Sequence, residues 1–176
     1  GGKTAVNLDV GKNLVGSFYQ PSAILADLDC LRTLPQRELA AGWAEAIKHG
    51  LILDANLFEF FEEHYDSIIG LEMDVTATAI RRSMLIKAKI VGSDEKETKG
   101  RRMILNYGHT IGHALESATN YSELLHGEAV AVGMRAAAQI SYEVGLLETS
   151  VVDRQARILD HFGLPDSCNK AEPESV

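Results

Sequence analysis

"QRELAAGWAEAIKHGLIL", residues 36–53, decides how this chain is built. Leu39, Trp43, Ala46, Ile47 and Leu51 fall at i, i+4, i+7, i+8 and i+12, a spacing that lines one side of an α-helix. Pro35 precedes them, and a proline suits a helix opening, where its missing N–H has no partner to lose. Upstream the character differs. Residues 1–32 are Gly-rich and then apolar, and "SAILADLD" (22–29) reads as a short strand entered at Pro21. Downstream the helical spacing returns in "DANLFEFFEEHYDSII" (54–69), with Asp54 or Asn56 near its start, and in "DVTATAIRRSMLIKAKIVGSDE" (74–95). After a charged connection, "ETKGRRMIL" (97–105), come "GHTIGHALESAT" (108–119), the Ala-rich "HGEAVAVGMRAAAQISYEVGLL" (126–147) and "TSVVDRQARILDHFGLP" (149–165). Gly163 and Pro165 close the last. The expected fold is mainly α: the tail of an α/β unit over residues 1–32, then an all-helical domain over 33–176.

The 176 residues are 45% hydrophobic and 24% charged, ordinary for a soluble globular protein. A net charge of −8 argues against nucleic-acid or anionic-membrane partners. The basic residues are nevertheless clustered: Lys3 and Lys12, then Arg81, Arg82, Lys87, Lys89, Lys96, Lys99, Arg101 and Arg102. Such a lining fits a small anionic ligand, while solvated helix faces explain any single member as well. Cys30 and Cys168 stand far apart in no metal spacing, which points to a reducing, cytoplasmic setting. No apolar run is long enough to span a bilayer, and no signal peptide is read. The chain opens on "GGKT" without an initiator Met and is expected to be a fragment lacking its N-terminal part.

"GGKT" matches the end of a phosphate-cradling loop, but Asn7, Asp9 and Gly11 break the helix that should follow. With "GKN" at 11–13 it suggests two lysines presented from tight turns toward one anion, or a plain loop. In "GWAEAIKHG", Glu45 lies on the apolar side of the helix, with Lys48 three residues on. This is either a surface ion pair or a metal carboxylate beside a ligand-facing lysine. Of six histidines, His49, His64 and His161 read as structural, His64 as exposed helix surface. His109 and His113, in "NYGHTIGHALE" (106–116), share a helix face with Glu116, and His126 opens a buried-looking helix. A lone histidine of this kind is usually a satisfied core residue. Three within 18 residues, with Glu45, move the balance toward a zinc site with an open position. The H-E-x-x-H pattern is absent, which disfavours metalloprotease chemistry.

Taken together, "GGKTAVN", "GKNLVGSFYQP", "LADLDCLRTLPQRELAAGWAEAIKHGLI", "NYGHTIGHALE" and "LHGEAVAVGM" resemble the 3-dehydroquinate synthase family, in its order and over most of residues 1–140. The resemblance implies an enzyme with an NAD-binding α/β domain and a helical metal domain, of which this chain covers the end of the first and most of the second. The family's glycine-rich pyrophosphate motif and its late lysine find no match in these residues. Carried over by position, the metal ligands are Glu45, His109 and His126, for Zn2+, at a nitrogen and oxygen site that Co2+ could also occupy. The implied NAD contacts are Lys3, Lys12, Cys30, Leu31, Arg32 and Thr33, with Glu38 a weaker candidate. The implied substrate contacts are Lys3, Asn13, Lys48, Arg102, Asn106 and His113, joined by Lys87, for which Lys89 competes. Glu116 is left as a carboxylate behind the ligands or at the core edge.

The family substrate is the sugar-acid phosphate 3-deoxy-arabino-heptulosonate 7-phosphate. The implied reaction is transient oxidation by NAD, phosphate elimination, re-reduction and intramolecular aldol closure to 3-dehydroquinate, a step of the shikimate route to aromatic amino acids. The resemblance also suggests a homodimer. Two other activities stay open on the same scaffold, a zinc- and NAD-dependent polyol dehydrogenase of the glycerol type and a sister sugar-phosphate cyclase. A non-catalytic metal-binding fragment is a further possibility.

Overall fold

Lys3–Leu8 (β1) and Gly11–Phe18 (β2) pair antiparallel, with Lys3 opposite Phe18 and Val6 opposite Val15. The two Gly-Lys pairs therefore sit at strand starts, where tight turns are expected from the sequence. The computed structural model describes residues 2–8, 11–95, 98 and 100–169. The side chains of Lys3, Lys12 and Asn13, and residues Lys96 and Lys99, lie outside the described ones.

The strand expected over 22–29 does not form. Residues 23–27 run without a ladder partner, and Leu28–Thr33 winds into a 3₁₀ turn. Asp27 explains the difference, because its carboxylate accepts the Asp29 N–H at 3.0 Å and caps the turn. A short acidic side chain offers the backbone this local partner in place of a sheet.

Among the described residues six helices follow: α1 (Gln36–Leu53), α2 (Ala55–Ile69), α3 (Met73–Ser93), α4 (His109–Ala118), α5 (His126–Glu143) and α6 (Thr149–His161). The charged connection carries a second 3₁₀ turn, Arg101–Asn106. Asp54 separates α1 from α2 and caps α2 by accepting the Leu57 N–H. Arg82 of α3 holds the same carboxylate with Nη2 at 3.1 Å from each oxygen. The apolar stripe read in α1 packs where its period puts it. Trp43 and Ile47 meet Leu57, Phe61 and Ile68 of α2, Val130 and Met134 of α5, and Ile158 and Leu159 of α6. Trp43, Phe61 and Phe162 form a triangle of tilted and edge-on rings with centroids 5.8–6.2 Å apart. His64 is half-buried against Phe60, so the exposed placement expected for it is corrected, and His161 stacks on Tyr65.

Two glycines of α5 set the distances that matter below. A Cβ on Gly127 would lie 1.9 Å from the Ala41 carbonyl oxygen of α1. One on Gly133 would lie 2.0 Å from the carbonyl oxygen of Gly108, at the entrance of α4. Only a residue without a side chain lets these backbones touch. The start of α5 is also tied to α1. Glu128 accepts Arg37 Nε at 2.6 Å and Nη2 at 2.7 Å, and takes the Leu125 N–H at 2.8 Å.

Candidate metal centre

Three helices deliver the residues singled out in the sequence to one place. Glu45 and Lys48 come from α1, His109 and His113 from α4, and His126 from the first turn of α5. One ligand atom from each of Glu45, His109 and His126 can be chosen so that all lie within 4.8 Å of one another. Glu45 Oε1 is 3.3 Å from His109 Nε2 and 4.0 Å from His126 Nε2.

The hydrogen bonds behind the rings decide what these atoms offer. His109 Nδ1 lies 3.2 Å from the Tyr107 carbonyl, which can only accept, so Nδ1 carries the proton. His126 Nδ1 lies 3.3 Å from Glu116 Oε2, again an acceptor. In the neutral rings both Nε2 atoms then present lone pairs toward Glu45 Oε1, another acceptor. That oxygen is buried and has no hydrogen-bond partner among the described residues. Three acceptors facing one another need a positive centre between them. Two imidazole nitrogens and a carboxylate oxygen form the donor set that zinc and cobalt accept, and imidazoles backed by carboxylate or carbonyl acceptors are the usual support of such ligands. The residues fit a divalent cation.

The other Glu45 oxygen accepts Lys48 Nζ at 2.8 Å, and Lys48 is 1% exposed. Burial alone would raise the Glu45 pKa; with no cation bound, a proton on His109 Nε2 takes the cation's place between the acceptors, and with the Lys48 ammonium it holds the carboxyl well below the usual carboxylate range. Burial pushes the Lys48 ammonium down, against the pull of Glu45, and Lys87 adds to the lowering. His113 Nδ1 is 2.8 Å from Glu116 Oε2, the oxygen that also meets His126. Burial raises the Glu116 pKa, and the two imidazoles bring it below the ordinary value.

The remaining residues named from the sequence divide. Leu31, Glu38, Glu45, His49 and Lys87 line one cavity of about 300 Å³ between the first 3₁₀ turn, α1 and α3. Cys30, Arg32 and Thr33 are exposed on that turn, where Arg32 pairs with Asp29 and Thr33 bonds the Cys30 carbonyl. Arg102 Nη1 donates to the Glu95 carbonyl at 3.2 Å, and Asn106 is exposed. His49, read as structural, is buried, with Nδ1 2.8 Å from Ser83 Oγ. Glu116, left by the sequence as a carboxylate behind the ligands or at the core edge, is the acceptor shared by His113 and His126. The sequence reading missed two supports, the Arg37–Glu128 pair and the Tyr107 hydroxyl on Gln155 at 2.8 Å. Only Glu128, third in its helix, carried a readable signal, that of a helix-start acid.

Residues 1–41 match the family description "3-dehydroquinate synthase N-terminal" and residues 42–176 match "3-dehydroquinate synthase C-terminal". The chain belongs to the 3-dehydroquinate synthase family. Among solved structures, this family member is similar to 2-epi-5-epi-valiolone synthase from Streptomyces hygroscopicus subsp. jinggangensis, determined with NAD+ and Zn2+ bound. That match has 30% identity and a TM-score of 0.89, covering 99% of this chain and 49% of the other. It is also similar to 2-deoxy-scyllo-inosose synthase in complex with carbaglucose-6-phosphate, NAD+ and Co2+. There the identity is 34% and the TM-score 0.73, with 97% of this chain and 46% of the other covered. The chain thus spans about half the length of the solved relatives it matches.

Proposed function

We propose that the protein to which this chain belongs is a metal- and NAD-dependent sugar-phosphate cyclase, a carbon–oxygen lyase, and that its substrate is 3-deoxy-arabino-heptulosonate 7-phosphate. The observation that carries the reading is the set of converging acceptors, Glu45 Oε1 with the Nε2 atoms of His109 and His126, set beside a buried lysine. When bound, NAD supplies a reversible hydride acceptor, and the divalent cation supplies Lewis acidity at the substrate's vicinal oxygens. Glu45, His109 and His126 would hold that cation. Lys48, buried and bonded to Glu45, keeps the carboxylate oriented and offers positive charge toward an anionic ligand. His113 faces solvent on the same side and would meet the phosphate end with Asn106, while Lys87 would join the substrate contacts. Arg102, held at the Glu95 carbonyl, would recognise the substrate carboxylate. Leu31, on the cavity wall, stands with Cys30, Arg32 and Thr33 as the proposed NAD edge. Lys3, Lys12 and Asn13 complete the assignment from the hairpin.

The test is phosphate release from the heptulosonate phosphate in the presence of NAD and Zn2+. Stoichiometric release without net NADH is the expected outcome. NADH accumulating on glycerol with no phosphate released would sink the proposal in favour of a polyol dehydrogenase. One observation favours a second reading: the solved relatives are sister cyclases at 30–34% identity. Release from a sedoheptulose or glucose phosphate, and not from the heptulosonate, would establish that reading. The division of the chain near residue 33, a homodimeric assembly and a cytoplasmic setting belong to the same proposal.

A further inference from the structure

We infer that Glu116 is a positioning residue whose single buried carboxylate oxygen takes the Nδ1 protons of His113 and His126 together, fixing in one contact the ring turned to the metal and the ring turned to the substrate. The inference rests on the metal-centre reading above. Oε2 lies 2.8 Å from His113 Nδ1 and 3.3 Å from His126 Nδ1. The Glu116 side chain is 6% exposed, against 62% for His113 and 47% for His126, so the buried group is the anchor and the rings are what it holds. The two rings stack with centroids 5.6 Å apart and planes 26° apart, which a shared acceptor on one edge would produce.

An ionised carboxylate is acceptor-only, so both Nδ1 atoms keep their protons. His126 is thereby held with its Nε2 lone pair toward Glu45. His113 keeps Nε2 available to take a proton or, when charged, to donate to an anionic oxygen. Because Glu116 and His113 sit on α4 and His126 on α5, the contact also pins the two helices at the level of the site. The same three residues can be arranged with ligand atoms within 4.8 Å, so direct ligation by Glu116 is the rival role. It is disfavoured here, because Oε2 already faces two N–H donors.

The experiment combines Zn2+ and Co2+ titration against a chromophoric chelator, metal stoichiometry, and 15N shifts of the imidazoles in the metal-free protein. Glu116→Ala is expected to weaken binding of one metal by about 10- to 100-fold and to shift both rings away from the Nδ1–H tautomer. Glu116→Gln keeps an acceptor oxygen and the shape, so it should restore most of both readouts and guard against a merely misfolded alanine variant. Unchanged tautomers and affinity in Glu116→Ala overturn the inference, as does loss of a second bound metal, which would make Glu116 a ligand. Retention of metal by His109→Ala would sink the metal-centre reading alone. The tautomer shifts would still decide the role of Glu116.

Discussion

At the scale of single residues, the spacing "HTIGH" hides a division of labour. His109 is oriented by the Tyr107 carbonyl and faces Glu45, whereas His113 is oriented by Glu116 and faces outward. Substituting His109 with Ala should abolish Zn2+ binding measured by chelator competition. His113→Ala should leave the metal bound and raise KM for the anionic substrate; equal metal loss in both variants would refute the split. His49 gives a separate, pH-dependent prediction. Its buried ring, with Lys48 alongside, has its pKa lowered to about 4 from the ordinary histidine value of 6.5. As pH falls through 6.5 the unfolded chain takes up a proton that the folded chain refuses, so stability drops until the folded group titrates near pH 4. The loss attributable to this residue is on the order of 3 kcal/mol. Urea unfolding at pH 7 and pH 4.5 should therefore show a smaller acid penalty in His49→Gln than in the wild type.

At the scale of elements, contact between helices is bought with missing side chains. Gly133→Ala must push α5 off the entrance of α4, because its Cβ would sit 2.0 Å from a carbonyl oxygen. Backbone offers no rotamer to yield, so a cost of at least about 1–3 kcal/mol is expected, together with weaker metal binding as His126 moves away from Glu45. Thermal unfolding and chelator titration read the two effects on one sample. Phe61→Ala tests the core instead. The side chain is fully buried between Trp43 and Phe162, so about 3–5 kcal/mol should be lost. The helices were legible because their apolar residues repeat with the helical period over three or more turns. The segment 22–29 was not, since the Asp27 carboxylate gives the Asp29 N–H a local partner that alternation of apolar residues does not reveal. The β1–β2 hairpin was hidden for a different reason. Its Gly-Lys starts read as turns, and its apolar members Val6, Leu14 and Val15 are exposed, so no one-sided pattern marks it.

At the scale of the whole molecule, the site was only half legible. That Glu45 needed a partner could be argued from its place on an apolar face, but its convergence with His109 and His126 depends on close packing of α1, α4 and α5. No spacing within one helix encodes that packing, and the resemblance to a family supplied the grouping. The packing has an electrostatic consequence. His109 and His126 are each the opening residue of a helix, so the partial positive ends of two helix macrodipoles converge on the cation position. Each opposes a bound cation by about 0.3–1 kcal/mol and favours an anion by a similar amount. Glu45 offsets this repulsion, and an anionic ligand offsets the rest. Metal and anion should therefore bind synergistically. Dissociation of Co2+, followed by its visible absorption after adding excess chelator, should slow when inorganic phosphate is present and return to its basal rate in sodium chloride of equal ionic strength. A site whose cation is held least firmly when no anion accompanies it would be one that ties its metal loading to the supply of its substrate.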